Sequence, residues 1–434
     1  MTKTGPQDMV VHLPKYYVDA KELAIKRAQE RNVPSEELLR KMKNLGVKSF
    51  SVFYETDVVK EGARAITELL ERNNLDLEDI SAIYVATESS IDEAKPLGTD
   101  ILGELGKNGY RNENIGIIEF KFACVSGSYA IQFACNYVRL HPNKKVIVLC
   151  VDEAIYDVGS RAEATQGAGA IAILITANPA LVTLDFSKVG ILTIDGTGYR
   201  RPTGKKTPEV TRDSIYEYLY CMRGAWDHYK LQEENEWPWK NLPRLILGRS
   251  ILNTLRWWLF HNPYGLMPKD FVSLLLIHEY RLSKEWPGII EEMKRISGKK
   301  EMKEPVGSGV EAYFNEETRE QHSKFRALFR KLPLFTEFFE QRVGPSVIAS
   351  EKTGNLYTGS LFLQLASLMT YGKPRKGDKI GFWGFGSGAG SLFYTGTLES
   401  KPNFNLEEKL KNRKKLSIEE YELWRNSLHP QKEK

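Results

Sequence analysis

The sequence predicts an α/β protein built from two similar halves. Short runs of apolar residues recur along the chain, and amphipathic helical patterns accompany them. The composition, 41% hydrophobic and 27% charged residues, is ordinary for a folded globular protein and excludes disordered and collagen-like classes. The 434 residues are enough for roughly two to three domains.

In the first half, apolar runs of strand length alternate with helical patterns. Runs that are apolar on both faces are typical of a sheet covered by helices on both sides. The predicted strands are Ser81–Thr87, Ile115–Glu119, Lys145–Val151 and Ala170–Ile175. The predicted amphipathic helices are Asp57–Arg72 and Gly127–Leu140.

The second half repeats this pattern less clearly. Strands are predicted at Trp257–Phe260, Lys379–Trp383 and Leu392–Leu398, and a buried helix at Ser360–Met369. The run Phe271–Ile277 fits either a strand or a buried helix, because it is too short for periodicity to decide. We therefore predict a first half over residues 1–185 and a second half over residues 186–434, with a charged insertion at about 285–340.

Charge and cysteine content limit the partners and the compartment. A net charge of +5 is too small to predict nucleic-acid binding. The uncharged stretch Ala164–Leu184 is about long enough to span a bilayer, but Asn178, Pro179 and its glycines indicate a buried strand and turn. Four cysteines are too few for a disulfide framework and lack metal-site spacing. With no secretory signal at the N-terminus, we expect a cytoplasmic protein without a membrane span or a metal.

Two segments have unusual composition. Trp226–Trp258 holds five of the eight tryptophans and also Arg244, Arg249 and Arg256. This segment fits helical structure packed on its own domain, the wall of a substrate channel, or a docking surface. The charged segment Arg295–Lys331 is predicted to be solvated helix and loop, and the charged tail after residue 401 to be mostly helical.

Cys124 lies between a predicted strand and a predicted helix, in EFKFACVSG. The N–H groups and dipole at a helix N-terminus stabilise a thiolate, which is the nucleophilic form of cysteine. Small neighbours, Ala123, Ser126 and Gly127, leave room for a substrate. The position fits a nucleophile with a lowered pKa, and it also fits a buried structural cysteine.

Glu88 lies at the end of a predicted strand, in YVATESSID. A carboxylate in a desolvated pocket has a raised pKa, which suits a general acid or base. The same position also fits an acidic residue at a helix N-terminus, or an ion-pair partner of Lys95.

Several segments, in the same order along the chain, resemble the 3-hydroxy-3-methylglutaryl-CoA synthase family, whose members have the thiolase fold. They are HLPKYYVD at His12–Asp19, VATESSIDEAK at Val85–Lys95, EFKFACVSGSYAIQ at Glu119–Gln132, TQGAGA at Thr165–Ala170, RPTG at Arg201–Gly204, GNLYTGS at Gly354–Ser360 and GFGSGAG at Gly384–Gly390. Together they are more specific than any one alone. The resemblance implies a thiolase-like fold of two similar α/β halves, with mixed five-stranded sheets and buried helices in αβαβα layers.

The resemblance also implies an acyltransferase. It condenses acetyl-CoA with acetoacetyl-CoA and water, through an acetyl-cysteine, to give HMG-CoA for the mevalonate pathway of isoprenoid biosynthesis. The nucleophile falls on Cys124 and the general acid/base on Glu88. No cofactor is implied besides the thioester substrates, and a homodimer is expected.

Two histidines compete for the position of the family's histidine, which polarises the acceptor carbonyl. His261 lies in WWLFHNPYGLMPK, which is similar to the family pattern Phe-His-x-Pro-Tyr/Phe at a strand end. His278 follows an apolar run without a proline after it. Because a catalytic imidazole needs rigid support, His261 is preferred, and His278, kept as the alternative, is predicted to be an ordinary helix residue.

The resemblance implies further substrate contacts at Thr165, Ser214, Asn355 and Ser387. Many family members carry a lysine five residues after the histidine, where this chain has Leu266, so Lys269 is the candidate for meeting CoA phosphates. The glycine-rich segment lets backbone approach a substrate closely, and N–H groups around Gly386 and Gly388 are candidates for stabilising an oxyanion.

Alternatives stay open. A β-branching enzyme of polyketide biosynthesis would use the same catalytic residues on substrates bound to an acyl carrier protein. ACVSG around Cys124, Cys221, and the residues Gly265, Met267 and Lys269 resemble that branch. A non-catalytic scaffold homologue is supported by the missing lysine and opposed by the retained catalytic residues. A decarboxylating ketoacyl synthase would leave the glutamate segment unexplained.

Overall fold

The computed structural model describes residues 2–205, 207–236, 251–265, 267–305 and 315–428. The strands, in chain order, are β1 (Thr4–His12), β2 (Tyr16–Asp19), β3 (Ser49–Val52), β4 (Ala82–Ala86), β5 (Gly116–Phe120), β6 (Val146–Ala154), β7 (Gly167–Ala177), β8 (Val182–Thr193), β9 (Tyr199–Arg200), β10 (Glu209–Val210), β11 (Trp257–Phe260), β12 (Lys379–Gly386), β13 (Gly390–Leu398) and β14 (Lys414–Lys415).

The helices are α1 (Ala20–Glu30), α2 (Ser35–Leu45), α3 (Val58–Arg72), α4 (Leu97–Lys107), α5 (Ser126–Leu140), α6 (Asp213–Glu236), α7 (Met267–Tyr280), α8 (Trp286–Ser297), α9 (Glu316–Phe329), α10 (Pro333–Arg342), α11 (Gly344–Val347), α12 (Ser350–Thr353), α13 (Ser360–Tyr371), α14 (Leu406–Lys411) and α15 (Ile418–Ser427).

Nine of these strands form one mixed sheet, in the order β11-β12-β13-β8-β1-β7-β6-β4-β5. Within the described residues, the first half contributes five strands and the second half four. The two sets are continuous, because β1 pairs with β8 at Thr4 and Leu184. The predicted α/β class with mixed sheets is confirmed, and the two predicted sheets are joined edge to edge.

Strands β4, β6 and β7 of the first half are buried on both faces, as their apolar runs predict, whereas β5 at the sheet edge is partly exposed. On β6, Val146, Val148 and Cys150 pack in the cluster that contains α5, while the alternate residues pack in the cluster that contains α3. This period of two follows from the pleat of a strand. Helices therefore cover both faces of the sheet.

The central layer of the molecule is formed by α5 and α13. Buried side chains of both helices share one cluster with strands of both halves, including Leu259 and Phe382. Alternate residues of the second-half strands, Trp258 and Trp383 among them, pack instead with α6 and α7. Helix, sheet, helix, sheet and helix layers follow one another, as the resemblance implies.

Two segments differ from their prediction. The run Phe271–Ile277, left open between strand and helix, lies within helix α7 and is buried. The charged insertion, expected to be solvated, packs one apolar face on the second half, with Phe325, Phe329, Phe335 and Phe339 buried in the same cluster as α7. The insertion is rich in charged residues, but its few aromatic residues recur at helical spacing and therefore lie on one face of each helix.

The tryptophan-rich segment is only partly described. Trp226, Trp257 and Trp258 are buried, which agrees with packing on their own domain. Trp237, Trp239, Arg244 and Arg249 lie outside the described residues. The uncharged stretch 164–184 contains strand β7, as predicted. Among the described residues, the helices are all too short or too polar to cross a bilayer.

Candidate active site

Cys124 lies in the turn between β5 and α5, two residues before the helix begins at Ser126. Ala123 has a φ of +45°, so the chain bends sharply just before the cysteine. The N–H of Phe122 donates to the Ser126 Oγ at 2.6 Å and closes the turn. This backbone holds the Cys124 side chain half-buried.

Glu88 follows β4, and its carboxylate reaches the thiol of Cys124. The Cys124 Sγ donates to the Glu88 Oε1 across 2.6 Å. Strands β4 and β5 are parallel neighbours, so both residues leave the sheet at the same edge. Lys95, the other candidate partner of Glu88, pairs with Asp100.

Asp152, on β6, holds the segment that carries Glu88. Its Oδ1 accepts from the Glu88 N–H at 2.6 Å and from the hydroxyls of Thr87 at 3.1 Å and Ser89 at 3.0 Å. Its Oδ2 accepts from the Thr358 hydroxyl at 2.5 Å. Asp152 thus ties the glutamate to a segment from the second half, and no motif in the sequence pointed to it.

The electrostatics agree with the sequence prediction for Glu88 and differ from it for Cys124. Burial, together with the Asp152 carboxylate, raises the pKa of Glu88 to about 7, although the guanidinium of Arg201, which donates to the Glu88 carbonyl, opposes the rise. Burial and the adjacent Glu88 raise the pKa of Cys124 well above its ordinary value. The predicted lowering of the Cys124 pKa is wrong. Desolvation and the neighbouring carboxylate disfavour the thiolate more strongly than the helix dipole favours it.

Three tyrosines surround this pair, and none of them was predicted from the sequence as a site residue. The Tyr199 hydroxyl donates to the Glu88 Oε2 at 3.4 Å and lies 3.0 Å from the Tyr357 hydroxyl. Tyr156 is buried and packs in one cluster with Tyr357 and Cys124. Tyr357 lies within a matched segment and Tyr199 just before one, so the motifs held a signal for both. Tyr156 lies in no motif.

Asn355, predicted to contact the substrate, adjoins this cluster through Tyr357. Its Oδ1 accepts from the Tyr357 N–H and the Ser360 hydroxyl, both at 2.9 Å. Its own N–H donates to the backbone carbonyl of Thr165 at 3.4 Å. The Thr165 hydroxyl donates to the carbonyl of Ala162 at 2.7 Å, so Thr165 borders the site through its backbone.

His261 lies directly after β11, at the strand end where it was predicted. Its N–H donates to the Trp383 carbonyl of β12 at 2.7 Å, and its ring lies 6.3 Å from that of Phe385. The side chain is buried, and its Nδ1 lacks a hydrogen-bond partner within the described part of the chain. Burial lowers the pKa of His261 to about 3, which keeps the imidazole neutral.

The glycine-rich hairpin between β12 and β13 packs on the Cys124 turn. A Cβ on Gly386 would lie 2.5 Å from the Phe122 carbonyl, so only glycine allows this approach. Ser387 and Gly388 form the tip, where Gly388 has a φ of +110°. Strand β12 therefore links the His261 backbone to the cysteine turn over a few residues.

Three other predicted residues make their contacts elsewhere. The Ser214 hydroxyl donates to the Thr211 carbonyl at the start of α6. The Lys269 Nζ lies 5.3 Å from the centre of the Phe339 ring. His278 is helical, as predicted, with its Nε2 3.5 Å from Asp227.

The fold matches that of the condensing enzymes with the thiolase-like fold, which transfer acyl groups. Residues 4–180 match the model of the hydroxymethylglutaryl-coenzyme A synthase N-terminal region, and residues 211–432 match that of the C-terminal region. The chain therefore belongs to the hydroxymethylglutaryl-CoA synthase family and is an acyl-transferring condensing enzyme, which confirms the resemblance seen in the sequence.

Both branches of the family occur among its relatives. The chain is 29% identical over 420 residues to hydroxymethylglutaryl-CoA synthase of Enterococcus faecalis, covering 94% of this chain and 88% of that protein. It is 26% identical over 441 residues to the polyketide biosynthesis 3-hydroxy-3-methylglutaryl-ACP synthase PksG of Bacillus subtilis. That alignment covers 98% of this chain and 88% of PksG. A solved HMG-CoA synthase complexed with CoA aligns at a TM-score of 0.70 and 26% identity, covering 97% of this chain and 89% of that one.

Proposed function

We propose that this enzyme condenses acetyl-CoA with acetoacetyl-CoA and water to give 3-hydroxy-3-methylglutaryl-CoA and CoA. The observation that carries the proposal is the 2.6 Å contact between the Cys124 Sγ and the Glu88 Oε1 in a desolvated site. The proposal includes a place in the mevalonate pathway. It also includes a cytoplasmic location, which fits four cysteines that are all free thiols.

In the first step Cys124 attacks the acetyl carbonyl. Because the thiol rests protonated, Glu88 takes its proton while the new S–C bond forms. The bond between the acetyl carbon and the donor sulfur then breaks, and Glu88 returns the proton to the leaving thiolate. The result is an acetyl-cysteine beside an ionised Glu88.

In the second step Glu88 removes a proton from the acetyl methyl group. The carbanion equivalent attacks C3 of the acetoacetyl thioester, and a neutral His261 donates its ring N–H to the C3 oxygen as negative charge develops there. The proton held by Glu88 passes to that oxygen and completes the 3-hydroxyl group. Holding both partners in one site makes this carbon–carbon bond formation intramolecular.

In the third step water attacks the carbonyl of the enzyme thioester. The C–S bond breaks, one proton of the water passes to the Cys124 thiolate, the other is released to solvent, and the product leaves with a free carboxylate. The proposed contacts for the substrate chain are Asn355 and Ser387, with N–H groups around Gly386 and Gly388 as oxyanion donors.

A carrier-protein substrate is the second candidate. Leu266 stands where many members of the CoA branch have a lysine, and the remaining candidate, Lys269, packs its Nζ over the Phe339 ring. The relative from Bacillus subtilis is an ACP synthase by its printed description. A carrier protein would supply its own surface contacts and would depend less on a lysine at the phosphate.

Intact-protein mass spectrometry after mixing with acetyl-CoA, and separately with acetyl-carrier protein, tests this proposal. We expect one acetyl adduct on the wild type from acetyl-CoA and none on Cys124→Ala. Cys221→Ala is the matched control, because that thiol is fully buried on α6, and burial raises its pKa to about 12. It should acetylate like the wild type.

The outcomes separate the candidates. An adduct from acetyl-carrier protein alone would replace the first candidate with the second. No adduct from either donor, or an adduct that persists in Cys124→Ala, would overturn the mechanism.

We propose that two copies of the chain associate along β5. This strand is one edge of the central sheet, and Ile118 on it is 47% exposed. Beside it, Phe133 of α5 is 57% exposed, although its ring contacts Phe120 at 5.5 Å. An apolar edge strand with unpaired backbone groups pairs readily with another strand, and a second copy offers the same edge.

The substitution Phe133→Glu tests this association. We expect the wild type to sediment at about twice the chain mass of 49.5 kDa and Phe133→Glu to sediment as a monomer, because a carboxylate in an apolar interface is not desolvated favourably. Leu423→Glu is the control, since Leu423 is 72% exposed on α15. A monomeric wild type, or a dimer that survives in Phe133→Glu, would contradict the proposal.

A further inference from the structure

The C-terminal helix α15 carries a buried arginine. Ser417 and Glu420 close a capping box that begins this helix, and Tyr421 packs its ring 5.8 Å from that of Phe50. Arg425, one turn later, is only 1% exposed. Charged side chains are rarely buried so completely, because removing a charge from water is expensive. The charged tail, predicted to be mostly helical, therefore places a cation inside the molecule.

Arg425 and Gln166 hold the backbone of Tyr156 from both sides. The Arg425 guanidinium donates to the Tyr156 carbonyl at 2.7 Å and to the Gln166 Oε1. The same Oε1 accepts from the Tyr156 N–H at 2.9 Å. Tyr156 follows β6 outside any strand or helix, so its backbone groups have no ladder partners. These two side chains supply the partners that a buried backbone needs.

Gln166 is itself fixed by a chain of buried hydrogen bonds. Its Nε2 donates to the Tyr421 hydroxyl at 2.7 Å, and that hydroxyl donates to the Glu163 Oε1 at 3.1 Å. The Glu163 Oε1 also accepts from Arg27 of α1 at 2.8 Å. Since every member is paired, the glutamine cannot turn without breaking several bonds.

The side chain of Tyr156 enters the proposed active site. It packs in one cluster with Tyr357, Cys124 and Tyr199. The Tyr357 hydroxyl in turn lies 3.0 Å from the Tyr199 hydroxyl. A displacement of the Tyr156 ring would change the position of these neighbours and admit water beside the Cys124 thiol.

We propose that Arg425, together with Gln166, is a positioning residue for the condensation, acting through Tyr156. The inference rests on the proposed function. Burying a guanidinium against a carbonyl and an amide adds little stability, because the charge must be desolvated. Its planar group, however, donates to two acceptors in a fixed geometry and so holds both in place. The C-terminal helix is thereby a structural part of the active site.

Three variants test this role. Arg425→Met keeps most of the side-chain length and removes both donors, while Arg425→Lys restores one donor. Arg342→Met is the matched control, because the Arg342 guanidinium also donates to backbone carbonyls, those of Leu252 and Leu255. Turnover is measured well below the lowest melting temperature of the set, with the donor that acetylates the wild type.

Arg425→Met should lower kcat by roughly 10- to 100-fold with little change in KM, because a misplacement of about 1 Å is enough for such a loss. Arg425→Lys should recover part of kcat, and Arg342→Met should keep the wild-type value. Alkylation of Cys124 by iodoacetamide, followed by mass spectrometry, needs no turnover. The rate of Cys124 alkylation should rise several-fold in Arg425→Met and stay unchanged in Arg342→Met.

If Arg425→Met keeps the wild-type kcat and alkylation rate and loses only melting temperature, as Arg342→Met does, the inference is wrong. If the wild type forms no acetyl-cysteine while Arg425→Met still alters alkylation, the proposed reaction is overturned and the positioning of Tyr156 is supported. The two failures are therefore distinguishable.

Discussion

Glu88→Gln should lower kcat by about 10²- to 10⁴-fold, the usual contribution of a positioned acid or base. Glutamine keeps the size of the side chain and still accepts a hydrogen bond from Cys124. It cannot take a proton from the thiol or from the acetyl methyl group. Steady-state turnover of the variant and the wild type, with the donor that acetylates Cys124, measures the loss.

The pH dependence gives a second readout of Glu88. Because its pKa is raised to about 7, the carboxylate that serves as the base is lost as the pH falls through that value, and wild-type turnover should fall with it. Glu88→Gln should lack this acidic limb. Above pH 7, Glu88→Gln should also melt at a higher temperature than the wild type. A carboxyl group whose pKa is higher in the folded than in the unfolded state destabilises the folded protein once the group is ionised.

Glu153→Gln is the matched control for both readouts. Burial raises the pKa of Glu153 to about 7, as for Glu88, but its Oε1 accepts from the Phe53 N–H at 2.8 Å. The control should keep its turnover and its acidic limb. Normal turnover in Glu88→Gln, or an equal loss in Glu153→Gln, would contradict the assignment of Glu88 as the base.

His261→Ala should lower kcat by about 10²- to 10³-fold, the effect of removing one oxyanion donor. Acetylation of Cys124 should survive, because His261 acts only on the acceptor carbonyl. Burial lowers the pKa of His261 to about 3, so the ring stays uncharged both below and above pH 7. The fold-loss of kcat in His261→Ala should therefore not depend on pH in this range. Single-turnover condensation on the acetylated enzyme measures the effect.

His278→Ala is the control for this experiment. His278 faces Asp227 from helix α7 and should be dispensable for turnover. His261→Asn retains an N–H donor and should recover part of the loss. If only His278→Ala abolished condensation, the choice between the two histidines would be wrong.

Much of the fold was predictable because several of its strands are buried on both faces. The runs around β4 and β6 are apolar at successive positions, which indicates a covered sheet without any knowledge of topology. The run 271–277 could not be assigned, since a helix buried all round shows no period. The insertion was misjudged because overall charge hides a single buried face, on which Phe325 and Phe329 lie.

The candidate site was only partly predictable. Motifs singled out Glu88 and Cys124, and the structure brings their side chains into contact. Asp152, Tyr156 and Arg425 were not found, because each acts on residues that are distant in sequence.

The sequence by itself determined the fold class, the family and the positions of the candidate nucleophile and base, because apolar periodicity and short ordered motifs are local. Only the tertiary structure decided the direction in which the pKa of Cys124 shifts. The helix N-terminus favours a thiolate, but burial and the carboxylate of Glu88 outweigh it. It also decided that the charged C-terminal helix supports the site, since Arg425 meets Tyr156 only when the chain has folded. Desolvation and long-range contacts depend on what surrounds a residue, and sequence order alone does not show that.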